Sequence, residues 1–524
     1  VAGRWLGERR AWAPVTLTHF GEPPTLGATG RIGLRNLDQQ TGTTELERNY
    51  ADQTRIPVSP TSAFQPTTPA TDPGSSRLWI KNPLAVFTAN GHDARGGIVV
   101  SDGKIAELVP AGKSPSAPCH ETFDAGSHVL LPGLINTHHH FYQTLTRAWG
   151  PVANAPLFPW LQNLYPVWAR LTPDSLELAV KVALAELLLS GCTTAADHHY
   201  LFPSGLEDAI DVEVGVVRGL GMRATLTRGS MTLGEDDGGL PPRSTVQRPE
   251  VILADSERLI GKYHERGDGA VIQIALAPCS PFSVTREIMA ESAAMAERLD
   301  VRLHTHLAET IDEEDFCREM FGLRTVDYLE SVGWLGKRTW LGHGIHFDDD
   351  EIARLGAAGT AVAHCPTSNM RLASGTARVL ELEAAGVPVG LGVDGSASND
   401  ASNMILEARQ ALYLQRLRYG ADVPVERALG WATRGSAAVL GRTDIGQIAP
   451  GMQADLAMFT LDGLRFSGSH DPIAALLLCA ADRADRVMVG GKWRVVDGQI
   501  SGLDIPELIA KHSAAAQKII RASE

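Results

Sequence analysis

Residues 131–147 read LPGLINTHHHFYQTLTR. An apolar run breaks at Pro132-Gly133, a shorter apolar run follows, and His138, His139 and His140 arrive together. In a strand, alternate side chains share a face. His138 and His140 can therefore point at one metal ion while His139 points away. A His-x-His pair ending a buried strand is half of a metal site. The competing reading is a His-rich turn that ligates nothing, and the rest of the chain has to decide.

From residue 131 to about 442, strand-like runs alternate with helical ones. Eight apolar runs end in polar or Gly-rich residues: LLPGLINTHHH, CTTAADHH, RATLTRGS, IQIALAPCS, RLHTHLAE, TWLGHG, AVAHCPTSN and VPVGLGVDG. The clearest helix covers residues 175–190, with Thr172 as its N-cap, Pro173 at the first helical position and Gly191 as its stop. Eight βα repeats predict an α/β fold of the TIM-barrel type, whose active site lies at the C-terminal strand ends. A doubly wound open sheet is the alternative. It predicts a Gly-rich phosphate turn, and the sequence has none.

Those strand ends hold the reactive residues. In RLHTHLAET, His304 and His306 share a face. His306 is nearer the loop and is the better ligand, whereas His304 lies a layer deeper and reads as a hydrogen-bonded core residue. Glu309 follows in the loop, beside the metal but not on it, which suits a proton shuttle; alone, it would read as a surface carboxylate. LGHG places His343 at the mouth, and GVDGSASND places Asp394 there. Histidines with one carboxylate make a Zn²⁺ or Fe²⁺ site with room for water. The fourth run ends in APCS, with no Lys that could be carbamylated to bridge two metals, so one metal is expected.

The flanks differ from this core. Residues 1–76 include PVSPTSAFQPTTPATDPGSS, a stretch too poor in apolar periodicity to offset its ordering entropy. They are expected to be disordered or loosely attached. Short strand-like runs over 77–130 return over 443–503, which predicts a small β-sandwich built from both flanks of the barrel, followed by a C-terminal helix over 504–524. The acidic loop at 234–242 reads as solvated.

Composition excludes several classes. The chain has 524 residues, is 44% hydrophobic and carries a formal charge of −14. That is enough for a large core and a poor match to a nucleic-acid backbone. No run of about 18 apolar residues predicts a membrane span. The first residues lack an apolar signal core. The six Cys form no CxxC pair. Reduced thiols in the cytoplasm are the expectation.

The motifs PGLINTHHH, HTHLAE, LGHG, HCPTSN and GVDGSASN, with GQIAPGMQADL near the end, resemble the metal-dependent amidohydrolase superfamily, in its aminohydrolase and chlorohydrolase branch. The resemblance covers about residues 78–503. More narrowly, HHHFYQTLTRA, SGCTTAADHHYLFP, TRGSM, LAPCSPFSV and CPTSNMRLASG resemble the bacterial 8-oxoguanine deaminases, often labelled hydroxyatrazine ethylaminohydrolase-like. The resemblance implies a hydrolase that deaminates 8-oxoguanine to urate; the alternatives are guanine, isoxanthopterin or an s-triazine that loses chloride or an alkylamine. It implies one divalent transition metal, zinc first and iron second, on His138, His140, His306 and Asp394. Glu309 would be the proton shuttle, and His343 would hold the attacking water. Gln143 would touch the substrate, and Arg228 would pair with a purine carbonyl unless it forms a structural salt bridge. His198 and Cys279, at strand ends, are further substrate contacts. Relatives commonly carry Cys after the His of LGHG, where this chain has Gly344, a change expected to alter pocket volume slightly. A small heterocyclic substrate, no nucleic-acid or membrane partner, and a homo-oligomer complete the expectation. A non-catalytic barrel would have lost ligands or Glu309, and none is missing.

Overall fold

The structure, a computed structural model, describes residues 77–522. The expectation for residues 1–76 lies outside them. The eight runs form eight strands: Leu134–Asn136, Cys192–His199, Arg223–Ser230, Ile272–Pro278, Leu303–Leu307, Thr339–His343, Ala361–His364 and Val389–Leu391. They form one eight-stranded sheet in sequence order, each parallel to the next. The two ends meet: Thr137 N donates to Leu391 O at 2.9 Å, and Asp394 N donates to His138 O at 3.0 Å. This is the expected TIM barrel, and its closing seam carries Asp394 to His138.

Local chemistry sets the helices between the strands. In Pro173–Leu189, Thr172 Oγ1 accepts from Ser175 N at 3.3 Å and proline fills the first position. Gly191 ends that helix with φ +91°, and a Cβ there would lie 2.9 Å from Phe459 Cζ. The glycine therefore both stops the helix and admits the strand Leu456–Thr460 from the other end of the chain.

That strand belongs to a six-stranded sheet drawn from both flanks. It pairs antiparallel with His128–Pro132, with Met458 opposite Leu130. A four-stranded sheet of Arg77–Lys81, Gly97–Ser101, Lys104–Val109 and Glu121–Asp124 faces it. Ile80, Ile98 and Ile105 of one sheet share a core with Leu130, Leu456 and Met458 of the other, the arrangement of a sandwich. The strand His128–Pro132 runs two residues past position 130, and the first barrel strand starts at Leu134. A Cβ on the intervening Gly133 would fall 2.2 Å from Thr193 Oγ1. The last helix, Ile505–Arg521, reaches back to the segment after the His triplet, where His512 Nε2 lies 3.0 Å from Thr144 Oγ1.

Candidate active site

Which nitrogen of each histidine carries the proton follows from backbone partners. A carbonyl only accepts, so a ring nitrogen bonded to one must be N–H. His140 Nδ1 bonds His198 O at 2.7 Å, and His306 Nδ1 bonds Cys279 O at 2.6 Å. His304 Nδ1 bonds Trp340 O at 2.9 Å, so its Nε2 is the acceptor for His138 Nδ1 at 2.7 Å. Burial holds His138, His304 and His306 well below the usual imidazole pKa, and hence neutral. The Nε2 lone pairs of His138, His140 and His306 are therefore free.

All three converge. His140 Nε2 lies 3.1 Å from His306 Nε2, and Asp394 Oδ1 lies 3.3 Å from the Nε2 of both His138 and His140. Among the described residues, buried His138 Nε2 has no hydrogen-bond partner. Lone pairs this close repel unless a cation sits among them. Three imidazole nitrogens and a carboxylate are a donor set for a divalent transition metal, and each histidine shows the outer hydrogen bond that fixes a ligand's tautomer. The residues present fit such an ion.

Glu309 and His343 complete the wall. His343 Nε2 is 3.6 Å from Glu309 Oε2 and 3.9 Å from Asp394 Oδ2. Its Nδ1 bonds Asn369 Oδ1 at 2.9 Å. Burial opposes charge on His343, but the carboxylates of Glu309 and Asp394 outweigh it and raise its pKa. Burial raises Glu309 too, against the pull of His343. Ala308, His343 and Asp394, all at strand ends, hold φ of +54°, +69° and +62°. Such backbone costs on the order of 1–3 kcal/mol at each non-glycine position and gathers where geometry is imposed.

A small cavity opens beside these groups. His140, Gln143, Cys279, His306, Glu309, His343 and Asp394 line it, with Leu157, Trp160, Leu161, Tyr165, Tyr200, Phe282 and Leu372 as apolar and aromatic walls. Two larger clefts on the molecule contain none of these residues. The donor convergence, not cleft size, marks the site.

The structure therefore brings together His138, His140, His306, Asp394, Glu309, His343, Gln143 and Cys279. His139 turns away and bonds Ser402 Oγ at 2.9 Å. His198 stacks on His306, with centroids 4.6 Å apart, but is absent from the cavity wall. Arg228 is elsewhere. Its Nε donates to Asp255 Oδ2 at 2.6 Å, a second donor reaches Gln247 Oε1, and its guanidinium lies 3.7 Å from the Phe202 ring centroid. Strand parity explains this: Arg228 is in register with His199, which pairs with Glu213 of the outer helix Ala209–Leu220. Gly344 also departs from expectation. A Cβ there would meet Phe347 and Val362 at 2.9 Å, and neither lines the cavity, so this position does not set pocket volume.

Several supporting residues escape a sequence reading. Ser368 and Ser398 donate to Asp394 Oδ2 at 2.6 and 3.1 Å. Glu313 Oε2 accepts from Glu309 N at 2.9 Å, and Asp197 Oδ1 accepts from Phe141 N at 2.6 Å. Ser368 and Asn369 lie inside the quoted motif HCPTSN, and Ser398 inside GVDGSASN; their partners are distant in sequence, so the motif alone assigns them no role.

The profile of the amidohydrolase family matches residues 129–494. An 8-oxoguanine deaminase of Pseudomonas aeruginosa is 76% identical over 446 residues, which cover 85% of this chain and 99% of that protein. An isoxanthopterin deaminase from an unknown prokaryotic organism is 36% identical over 430 residues, 77% of this chain and 88% of the relative. The zinc complex of an atrazine chlorohydrolase from Arthrobacter aurescens TC1 superposes with a TM-score of 0.78 at 32% identity, covering 84% of this chain and 100% of that one.

Proposed function

Because the chain belongs to the amidohydrolase family, we propose that it is a metal-dependent deaminase that hydrolyses 8-oxoguanine to urate and ammonia. The convergence of three unprotonated Nε2 atoms on Asp394, with Glu309 and His343 alongside, carries the chemistry. The substrate rests on the 76% identical relative.

His138, His140, His306 and Asp394 would hold one ion, and zinc is our assignment, supported by the zinc-bound neighbour. An ion so held would lower the pKa of water from 15.7 toward ~7. Glu309 takes the proton of the attacking water and delivers it to the ring nitrogen beside C2. Burial raises the pKa of Glu309, which helps it hold the proton between the two transfers. His343, oriented by Asn369, holds the water against the ring face. At the tetrahedral carbon Glu309, emptied by the first transfer, takes the remaining hydroxyl proton and passes it to the exocyclic amine; the C–N bond breaks as the C2 carbonyl forms, so water enters and ammonia leaves. Gln143 and Cys279 face the substrate, while the aromatic walls suit a flat heterocycle. Six unpaired cysteines, four of them buried, support a cytoplasmic enzyme. Among the described residues no helix is long and apolar enough to cross a membrane.

The test is a panel of 8-oxoguanine, guanine, isoxanthopterin and hydroxyatrazine, scored by kcat/KM. 8-Oxoguanine should lead with ammonia as co-product. A lead for isoxanthopterin would move the substrate to a pterin, and a lead for hydroxyatrazine would replace the leaving group altogether.

A further inference from the structure

With Arg228 committed to Asp255, no arginine or lysine among the described residues lines the cavity to meet an oxo group. Its other polar groups are mostly spoken for. Gln143 Oε1 accepts from Ala397 N at 3.3 Å, Ser398 Oγ donates to Asp394, and Glu309 Oε1 accepts from Ser374 at 3.5 Å. One hydroxyl differs. Tyr165, on the helix Leu157–Trp168, is fully buried and lines the cavity, yet among the described residues its hydroxyl has no hydrogen-bond partner. Cys279, Tyr200 and Glu309 line the same cavity. A buried hydroxyl left unpaired carries a desolvation penalty, and on a residue that lines a ligand cavity an acceptor brought by the ligand can offset it.

We infer that the Tyr165 hydroxyl is a specificity-determining contact, donating its proton to a carbonyl oxygen or ring-nitrogen acceptor of the bound heterocycle. The inference rests on the deaminase reading for the identity of that heterocycle. A neutral phenol suits a neutral oxo-heterocycle: it offers one directed donor without the cost of desolvating an arginine. A site built around such a donor discriminates strongly against a ligand lacking the acceptor.

Tyr165→Phe removes only the oxygen. Tyr328→Phe is the control, since Tyr328 is equally buried and its hydroxyl equally unpartnered, but it lies outside the cavity. Both variants are assayed as the metal-loaded protein on whichever panel member the wild type turns over fastest. Tyr165→Phe should lower kcat/KM about 10–100-fold, chiefly through KM, with metal content and Tm undiminished. Tyr328→Phe should stay within about 2-fold. A Tyr165→Phe enzyme with unchanged KM overturns the inference, as does a lowered Tm with normal KM, which would make the hydroxyl structural. If the wild type prefers a triazine, the deaminase reading fails by itself, and the Tyr165 comparison is scored on that triazine.

Discussion

Glu309 is held by three contacts with different consequences. Its backbone N–H is fixed by Glu313, one carboxylate oxygen meets Ser374, and the other faces His343 at 3.6 Å. Replacing the acid by its amide keeps the first two and removes the proton carrier. Glu309→Gln should therefore retain its metal while turnover falls about 10²–10⁴-fold; metal analysis beside single-turnover kinetics checks this, and near-normal turnover would remove Glu309 from the shuttle. At this scale the sequence is legible where the pleat decides. It separates His138 and His140 from His139, and places His306 nearer the mouth than His304. It is silent where the partner is remote in sequence. Arg228 shows why: its strand end is plain in TRGSM, but the face it leaves from is fixed by register with His199, and its partner Asp255 sits on the helix Pro249–Tyr263.

Behind the second strand, the helix Ala209–Leu220 presses Glu213 against His199 at 3.0 Å, with Asp197 on the same outer face. All three are fully buried. His199 Nε2 donates to Leu201 O at 2.6 Å, which leaves Nδ1 as an acceptor for a protonated Glu213. Burial pushes Glu213 up to about 8 and raises Asp197 as well; two carboxyls this deep cannot both ionise. The folded state thus keeps the Glu213 proton that the unfolded chain gives up near its ordinary value of 4.5. Unfolding releases protons through that window, so this group makes stability fall as pH rises from about 4.5 to about 8. Glu213→Gln should flatten the fall, seen by denaturant unfolding at several pH values; parallel curves would show that Glu213 is not the group responsible. The cluster also explains how an element steadies the site, because Asp197 grips Phe141 N, one residue past His140. The strands and the helix after Thr172 could be read from runs and caps. This carboxyl pair could not, because AADHH and DVEVG look unremarkable until the helix lies on the strand.

Across the molecule, the barrel seam and the sandwich have the same cause: distant segments share one sheet. Asp394 reaches His138 because the eighth strand closes on the first, and Leu456–Thr460 reaches His128–Pro132 because Gly191 leaves room. Repeating apolar runs made the eight-strand count readable, whereas the closing contacts depend on shape that no local pattern encodes. The family match over residues 129–494 spans the whole barrel and the long return into the sandwich. We propose that this assembly uses a metal held by His138, His140, His306 and Asp394 to exchange an amine for water on an oxidised purine. The most direct measurement strips the protein with a chelator, restores zinc in known amounts, and follows urate and ammonia formed from 8-oxoguanine. Both products should appear one to one and rise with zinc up to about one ion per chain. Full activity in the stripped protein, a need for two ions, or no urate at any zinc loading would contradict the account.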